Sequence, residues 1–259
     1  MSDFKSLKGL YIKHVSSDPA NPISGQIWYN TTTQTLKVAP QIGSWAAGEN
    51  MNTGRKDHAG AGIQTSAIAI AGQAPGGATA NAETYDGTSW TEGPNLNTAR
   101  NLLGGTGASS TAAIAFGGSP HTGATESYDG SSWTEGPDLN TARYGPGPAG
   151  TSTAALSFGG NVDPNNATDV VESYDGSSWT EVADLNTAKE QVGGLGTQTA
   201  ALSAGGFLGA SPQPAASTAT VEEWDGSSWT EGPDLNTARY QQGGAGTSTA
   251  ALVFGGNPP

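Results

Sequence analysis

One phrase of sixteen residues, DGSSWTEGPDLNTARY, occurs twice without change, at 129–144 and at 225–240. Near-copies of it occur twice more in the chain. Each copy carries a tryptophan, and a fifth tryptophan with similar surroundings precedes them. Together these residues are Trp45, Trp90, Trp133, Trp179 and Trp229. They are spaced 43 to 50 residues apart, which indicates a repeat protein in which every unit builds the same local structure.

Each unit divides into four short segments that favour β-strands. The Asp-Gly of YDGSSW predicts a tight hairpin between the third and fourth segments. The proline of EGPDLNTAR keeps that stretch out of a strand, so we expect it to cross over to the next unit. Four strands in a period of this length predict a blade of a β-propeller. In the unit around Trp179 the predicted strands are 142–150, 151–160, 169–176 and 177–182.

The repeat resembles the kelch family. The marks are a diglycine that closes the second strand, then an aromatic residue, then a tryptophan, then a basic residue that enters the next first strand. The resemblance covers roughly residues 33–259 and implies an all-β, kelch-like β-propeller.

The chain ends in the middle of a unit, and this predicts how the ring closes. Residues 237–257 supply only two strands, and a half blade would expose two strand edges. The segment 33–48 contains Trp45 and can supply the missing outer strands. We therefore expect a five-bladed propeller over residues 33–259, with its last blade shared between 33–48 and 237–257. Residues 1–32 then form an N-terminal docking arm and the start of a hairpin.

Composition excludes several classes of function. The net charge of −13 disfavours binding to nucleic acid or to an anionic membrane. The chain has no cysteine and only three scattered histidines, so the sequence predicts neither a metal site nor a cofactor. No apolar stretch reaches the length of a membrane span, and lysines interrupt the first residues, which predicts no signal peptide.

Five cations occupy one position of the repeat, at the predicted start of each first strand. Two interpretations are open. The cations can bond neighbouring backbone carbonyls and lock the blades together, with Asp138, Asp184 and Asp234 as further partners. Alternatively, they form a binding site for an anion or a sugar at the channel mouth. The five residues are Arg55, Arg100, Arg143, Lys189 and Arg239.

The loops between the second and third strands differ most from unit to unit. They lie at 73–82, 119–124, 161–169 and 207–218. In a propeller these loops share one face with the crossovers. Variable loops on a repeated scaffold are where binding specificity commonly resides, although they can also be plain connections.

The N-terminal segment is basic and apolar on an otherwise acidic protein, which is typical of a docking tail. The following segment, SSDPANPISGQIWYNTTTQTLKV at 16–38, resembles the start of phage tail-fibre and related virion proteins. Within it, residues 27–38 predict a hairpin. The resemblance implies an arm that binds other virion proteins and can join copies of the chain into a homo-oligomer. The predicted docking residues are Phe4, Lys5, Lys8, Leu10, Tyr11 and Lys13.

Taken together, we expect a structural protein of a bacteriophage virion, either a tail fibre or a capsid decoration. Its propeller would bind host-surface polysaccharide or a neighbouring virion protein, without enzymatic activity. One alternative is a purely architectural propeller that contacts only copies of itself. The second is a kelch-type enzyme acting on glycans, which would need a unique polar cluster in one blade.

Overall fold

The structure is a computed structural model that describes residues 13–19, 27–38, 48–163, 166–209 and 216–258. These residues form strands and turns and contain no helix. None of them therefore forms a helix able to cross a membrane. Contacts divide the chain into two units, Met1–Gly48 and Glu49–Pro259. The division lies after Gly48, whereas the sequence placed it after residue 32.

The first unit contains a three-stranded sheet of β1 (Lys13–Val15), β2 (Ile27–Asn30) and β3 (Thr35–Val38). β1 runs parallel to β2, and β2 pairs antiparallel with β3, with Asn30 opposite Thr35. The side-chain oxygen of Asn30 accepts the backbone N–H groups of Thr32 and Thr33, both at 3.0 Å, and so closes the turn. The predicted hairpin at 27–38 is present.

A carboxylate organises this small sheet. Asp18 accepts hydrogen bonds from Trp28 Nε1 at 3.0 Å and from Asn30 Nδ2 at 2.7 Å, and it pairs with Lys37 Nζ. The bond from Lys37 and these two bonds lower the pKa of Asp18 to about 2. One acidic side chain therefore ties the segment before β2 to both strands of the hairpin.

The second unit consists of four antiparallel sheets of four strands each, followed by one pair of strands. In every complete sheet the strands lie in chain order from the inner to the outer edge. The first sheet consists of β4 (Ala59–Ile63), β5 (Ser66–Ile70), β8 (Ala82–Tyr85) and β9 (Trp90–Glu92), and the second of β10 (Gly104–Ser109), β11 (Ala112–Phe116), β12 (Thr125–Tyr128) and β13 (Trp133–Gly136). The third sheet consists of β14 (Gly147–Thr151), β15 (Ala154–Phe158), β18 (Val171–Tyr174) and β19 (Trp179–Glu181), and the fourth of β20 (Gly193–Thr197), β21 (Ala200–Ala204), β22 (Val221–Trp224) and β23 (Trp229–Gly232). The final pair is β24 (Gly243–Thr247) and β25 (Ala250–Phe254). Two short hairpins, β6 (Gln73–Ala74) with β7 (Gly77–Ala78) and β16 (Asn161–Asp163) with β17 (Asn166–Ala167), lie in the loops after the second strands.

The inner strands contact one another in the order β4, β10, β14, β20, β24. They carry small residues because their backbones approach closely. A Cβ atom on Gly105 of β10 would lie 2.7 Å from the Cβ of Ala59 on β4, closer than real Cβ atoms approach. The four repeated sheets and this order of inner strands are consistent with a β-propeller.

The outer hairpins follow the sequence prediction closely. Tyr128 and Trp133 lie opposite each other on β12 and β13, with ring centroids 5.0 Å apart. In the loop between them, one oxygen of Asp129 accepts the backbone N–H groups of Ser131 and Ser132, each at 2.8 Å. Gly130 adopts a φ of +95°, which favours glycine. The equivalent residues Asp86, Asp175 and Asp225 make the same bonds.

These turn carboxylates predict a loss of stability in acid. Hydrogen bonds lower the pKa of Asp86, Asp129 and Asp225 to about 2 from 3.8. A lowered folded-state pKa adds stability above pH 3.8 that is lost as the pH falls towards 2. The Tm of the protein should therefore stay level from pH 7 to about 4 and fall between about 4 and 2.

The substitution Asp129→Asn isolates one turn. It should lower the Tm at pH 7, and its difference from the original protein should shrink as the pH approaches 2. The exposed neighbour Thr134→Ala is the control, because a non-ionisable change should shift the Tm equally at every pH. If the difference in Tm between Asp129→Asn and the original protein stays constant from pH 7 to 2, ionisation of this carboxylate does not cause the loss of stability in acid.

The fifth repeat is a two-stranded sheet among the described residues. Leu252 and Phe254 on β25 are 52% and 39% exposed, whereas their equivalents Leu156 and Phe158 on β15 are fully buried. Of the segment expected to cover β25, residues 39–47 with Trp45 lie outside the described part, and Thr35–Val38 pairs with β2. The number of blades and the closure by 33–48 stay predictions.

Candidate functional site

Four of the five repeated cations are buried and paired with glutamates. Arg143 Nη2 lies 3.1 Å from Glu172 Oε1, and both side chains have an exposure of 0%. The carbonyl of Ser157 accepts a further bond from Arg143 Nη2 at 3.3 Å. The same pairing joins Arg55 to Glu83, Arg100 to Glu126 at 3.1 Å, and Lys189 to Glu222 at 3.2 Å.

Each of these glutamates also holds the crossover that precedes the cation. Glu172, on the third strand β18, accepts the backbone N–H groups of Asn140 at 2.7 Å and Thr141 at 3.1 Å. Burial lowers the pKa of Arg143 to about 10, and the charge of Glu172 opposes that shift. Arg143 therefore remains charged at neutral pH, and its pair with Glu172 fastens the crossover to the outer half of its sheet.

This geometry corrects the sequence hypothesis of a ligand-binding ring of cations. A ligand does not reach a fully buried charge that is already paired, so Arg55, Arg100, Arg143 and Lys189 fit the locking interpretation instead. The direct partners are glutamates of the third strand, whereas Asp138, Asp184 and Asp234 act on Arg100, Arg143 and Lys189 as further charges. Asp184, for example, accepts the backbone N–H of Val171 at 3.2 Å.

Arg239 is the exception among the five cations. Its guanidinium is partly exposed and donates to the carbonyl oxygens of Gly255 at 2.8 Å and Thr237 at 3.4 Å. The described residues supply no glutamate to Arg239, because the fifth repeat has no third strand among them. Arg239 alone therefore remains open to the ligand-binding interpretation.

The residues that lie two positions after the cations are linked from repeat to repeat. Their φ angles lie between +50° and +64°, and four backbone bonds join them in order. Gln241 Nε2 then donates to Asp57 Oδ1 at 3.0 Å and connects the fifth repeat to the first. We call this set of bonds the backbone circuit. Its backbone bonds run from Leu102 N to Asp57 O at 2.9 Å, from Gly145 N to Leu102 O at 2.6 Å, from Gln191 N to Gly145 O at 2.7 Å and from Gln241 N to Gln191 O at 3.0 Å.

A cavity of about 610 Å³ lies inside the backbone circuit and is lined by it and by the inner strands. Gln191 and Gln242 both contribute to its lining. The side-chain oxygen of each is buried and has no hydrogen-bond donor among the described residues. A polar molecule that donates hydrogen bonds would satisfy both oxygens.

Residues one position after each cation form a backbone bridge with the residue that follows the diglycine of the same repeat, or Ala71-Gly72 in the first repeat. The bridges are structurally alike. Their side chains differ among the first four repeats, and the fifth repeat has the same Tyr–Asn pair as the third. The bridged pairs are Lys56 with Gln73, Asn101 with Ser119, Tyr144 with Asn161, Glu190 with Phe207, and Tyr240 with Asn257. Side-chain chemistry therefore varies at this position while the backbone arrangement stays constant.

Two of these pairs, one further bridged residue and one loop residue join into a continuous row across four repeats, which we call the arc. His121 Nε2 lies 3.3 Å from Asn161 Oδ1, and the rings of His121 and Tyr144 are 4.8 Å apart. Further along, Glu190 is bridged to Phe207, whose ring lies 5.3 Å from that of Tyr240. The arc comprises His121, Tyr144, Asn161, Glu190, Phe207 and Tyr240.

Glu190 is the buried acid of the arc, with an exposure of 5%. Desolvation raises its pKa, and a hydrogen bond from Asn161 opposes that effect. Its Oε2 atom is buried and has no donor among the described residues. Burial likewise raises the pKa of Tyr144, and the nearby charge of Glu190 adds to the shift.

The sequence did not single out the arc. Part of the signal was present, because Glu190 and Phe207 break the repeat at positions where the backbone is constant, but the sequence does not show which repeats contact each other. Of the predicted docking residues, Phe4, Lys5, Lys8, Leu10 and Tyr11 lie outside the described part, and Lys13 begins β1. The described residues contain no group of three or more His, Asp or Glu placed to hold a metal ion.

Comparison with known proteins supports the fold. No family model matches the chain, and no curated protein matches it. The solved structure titled "Structure of YjhT", a kelch-like propeller, is similar with a TM-score of 0.66 and 12% identity. The similarity covers 79% of this chain and 78% of that one. At this identity it shows a β-propeller-like fold and nothing about function.

Proposed function

We propose that this chain is a non-enzymatic structural protein of a bacteriophage particle, and that its second unit, Glu49–Pro259, binds host-surface glycan. One observation carries the binding role. The scaffold of buried ion pairs and outer hairpins is built alike in every complete repeat, while the bridged residues differ among those four repeats. A constant scaffold that carries variable side chains at one repeated position is typical of a binding module.

The assignment to a virion rests on the N-terminal residues. The segment 16–38 is similar to the start of tail-fibre and related virion proteins, and its described part folds around Asp18 as a small sheet. In this proposal the basic residues before that sheet attach the protein to other virion proteins. In the same proposal, the repeats form a five-bladed propeller, and residues 33–48 supply the missing outer strands of its last blade.

Attachment is tested in the full-length chain by reversing the charge of Lys5, Lys8 and Lys13 to glutamate. A tagged copy of this variant, produced in infected cells, should be lost from purified particles, whereas the original chain should be incorporated. Lys56→Glu is the control, because this exposed lysine belongs to the repeat unit and should leave incorporation unchanged. Equal incorporation of the triple variant would contradict attachment through the arm.

Binding is tested by presenting multivalent full-length protein to bacterial surface polysaccharides, because weak single sites gain from many copies. Selective binding would support the proposal. Absence of binding by a folded, incorporated protein would favour the architectural alternative. The near-identity of the outer hairpins supports that alternative, since a lattice tolerates uniform repeats.

A further inference from the structure

We infer that the arc is the ligand site of the second unit, Glu49–Pro259, and that it selects an uncharged, hydroxyl-rich sugar over an anionic one. This inference rests on the proposed binding function and specifies its ligand. It places recognition on Glu190 and Phe207, which break the repeat, and on the aromatic residues beside them, whereas the repeated cations belong to the scaffold.

The shape of the arc suits a chain of sugar rings. His121 with Tyr144 and Phe207 with Tyr240 form two aromatic pairs, and Asn161 and Glu190 lie between them in the order of contacts. The rings of Tyr144, Phe207 and Tyr240 are partly exposed, and His121 is exposed. Aromatic faces flanking a few polar groups are typical of sites that bind small polar molecules.

The polar groups of the arc call for donors on the ligand. Glu190 uses one part of its carboxylate on Asn161 and leaves Oε2 without a donor among the described residues. The side-chain oxygens of Gln191 and Gln242, which line the cavity, are also buried and have no donor among the described residues. A bound water can donate to such buried oxygens and connect them to sugar hydroxyl groups.

The charges near the arc disfavour an anionic ligand. Arg143 and Lys189, the cations that precede Tyr144 and Glu190, are buried and paired with their own glutamates. Arg239, which precedes Tyr240, donates to two backbone carbonyls. A sialylated, uronic or phosphorylated glycan would therefore meet the carboxylate of Glu190 and a chain of net charge −13, with Arg239 at the Tyr240 end as the cation that has no acidic partner among the described residues.

The test uses the full chain on an array that contains neutral polysaccharides together with sialylated, uronic and phosphorylated ones. Neutral glycans should bind in preference. Glu190→Gln and Tyr240→Ala should each weaken that binding about tenfold or more, because each removes a charge-assisted acceptor or a stacking face. Asn101→Ala is the matched control, since Asn101 occupies the same repeat position outside the arc. Circular dichroism establishes that every variant is folded.

The outcomes separate this inference from the function on which it rests. Preference for anionic glycans, or neutral binding unchanged in both arc variants, would overturn the arc and leave glycan binding intact. Absence of any glycan binding by a folded protein that still joins particles would overturn both.

Discussion

The substitution Arg143→Ala should lower the free energy of unfolding by about 3–5 kcal/mol, because it leaves Glu172 buried without its cation. Glu172 is fully buried, and it also holds the backbone of the preceding crossover through Asn140 and Thr141. Urea unfolding followed by tryptophan fluorescence measures the effect. Arg239→Ala is the matched control at the same repeat position. It should cost about 0–1 kcal/mol, since that arginine is partly exposed and contacts only carbonyls.

The double variant Arg143→Met with Glu172→Leu shows whether the unpaired charge is the cause. Removing both charges should restore part of the stability that Arg143→Ala loses, because no buried ion is left without a partner. If Arg143→Ala and Arg239→Ala lower the free energy of unfolding by the same amount, the buried ion pairs do not hold the crossovers in place.

The second large effect is expected at Phe158, where alanine should cost about 3–5 kcal/mol. The ring of Phe158 is fully buried and lies edge-on to Trp229 of the next repeat, with centroids 5.2 Å apart. Removing it leaves a cavity between two sheets. The equivalent residue of the fifth repeat, Phe254, is 39% exposed, so Phe254→Ala should cost about 1 kcal/mol or less.

Thermal and urea unfolding of the two alanine variants measure this contrast. It also tests how the fifth repeat is covered. An equally large loss at Phe254 would show that outer strands cover β25 in solution, as the predicted closure by residues 33–48 requires. Loss at Phe158 alone agrees with the exposure seen in the two-stranded sheet.

The sequence could predict the elements whose causes are local. The hairpin at Asp129 depends on residues within four positions of one another, and the strands alternate in a pattern that repeats every unit. The similarity to a solved kelch-like propeller confirms that coarse prediction. Hairpin 27–38 was predictable for the same reason, because Asn30 closes its own turn.

The partners of the cations could not be predicted in this way. Asp138 lies five residues before Arg143, whereas the glutamate that pairs with it is twenty-nine positions away on another strand. Proximity along the chain favoured the wrong acid. The arc was hidden for a related reason, since its contacts join residues of different repeats that are related only by the position of their backbones.

The backbone circuit has one weak point, which lies where the fifth repeat meets the first. Backbone bonds link the first repeat to the second and so on to the fifth, but the described bond between the fifth and the first joins the side chains of Gln241 and Asp57. Solvent competes more easily for a bond between two side chains than for one between fixed backbones. Local opening should therefore begin at this bond, next to Tyr240 and away from Tyr144, so that a ligand held at the arc should lose its contacts first at the Tyr240 end.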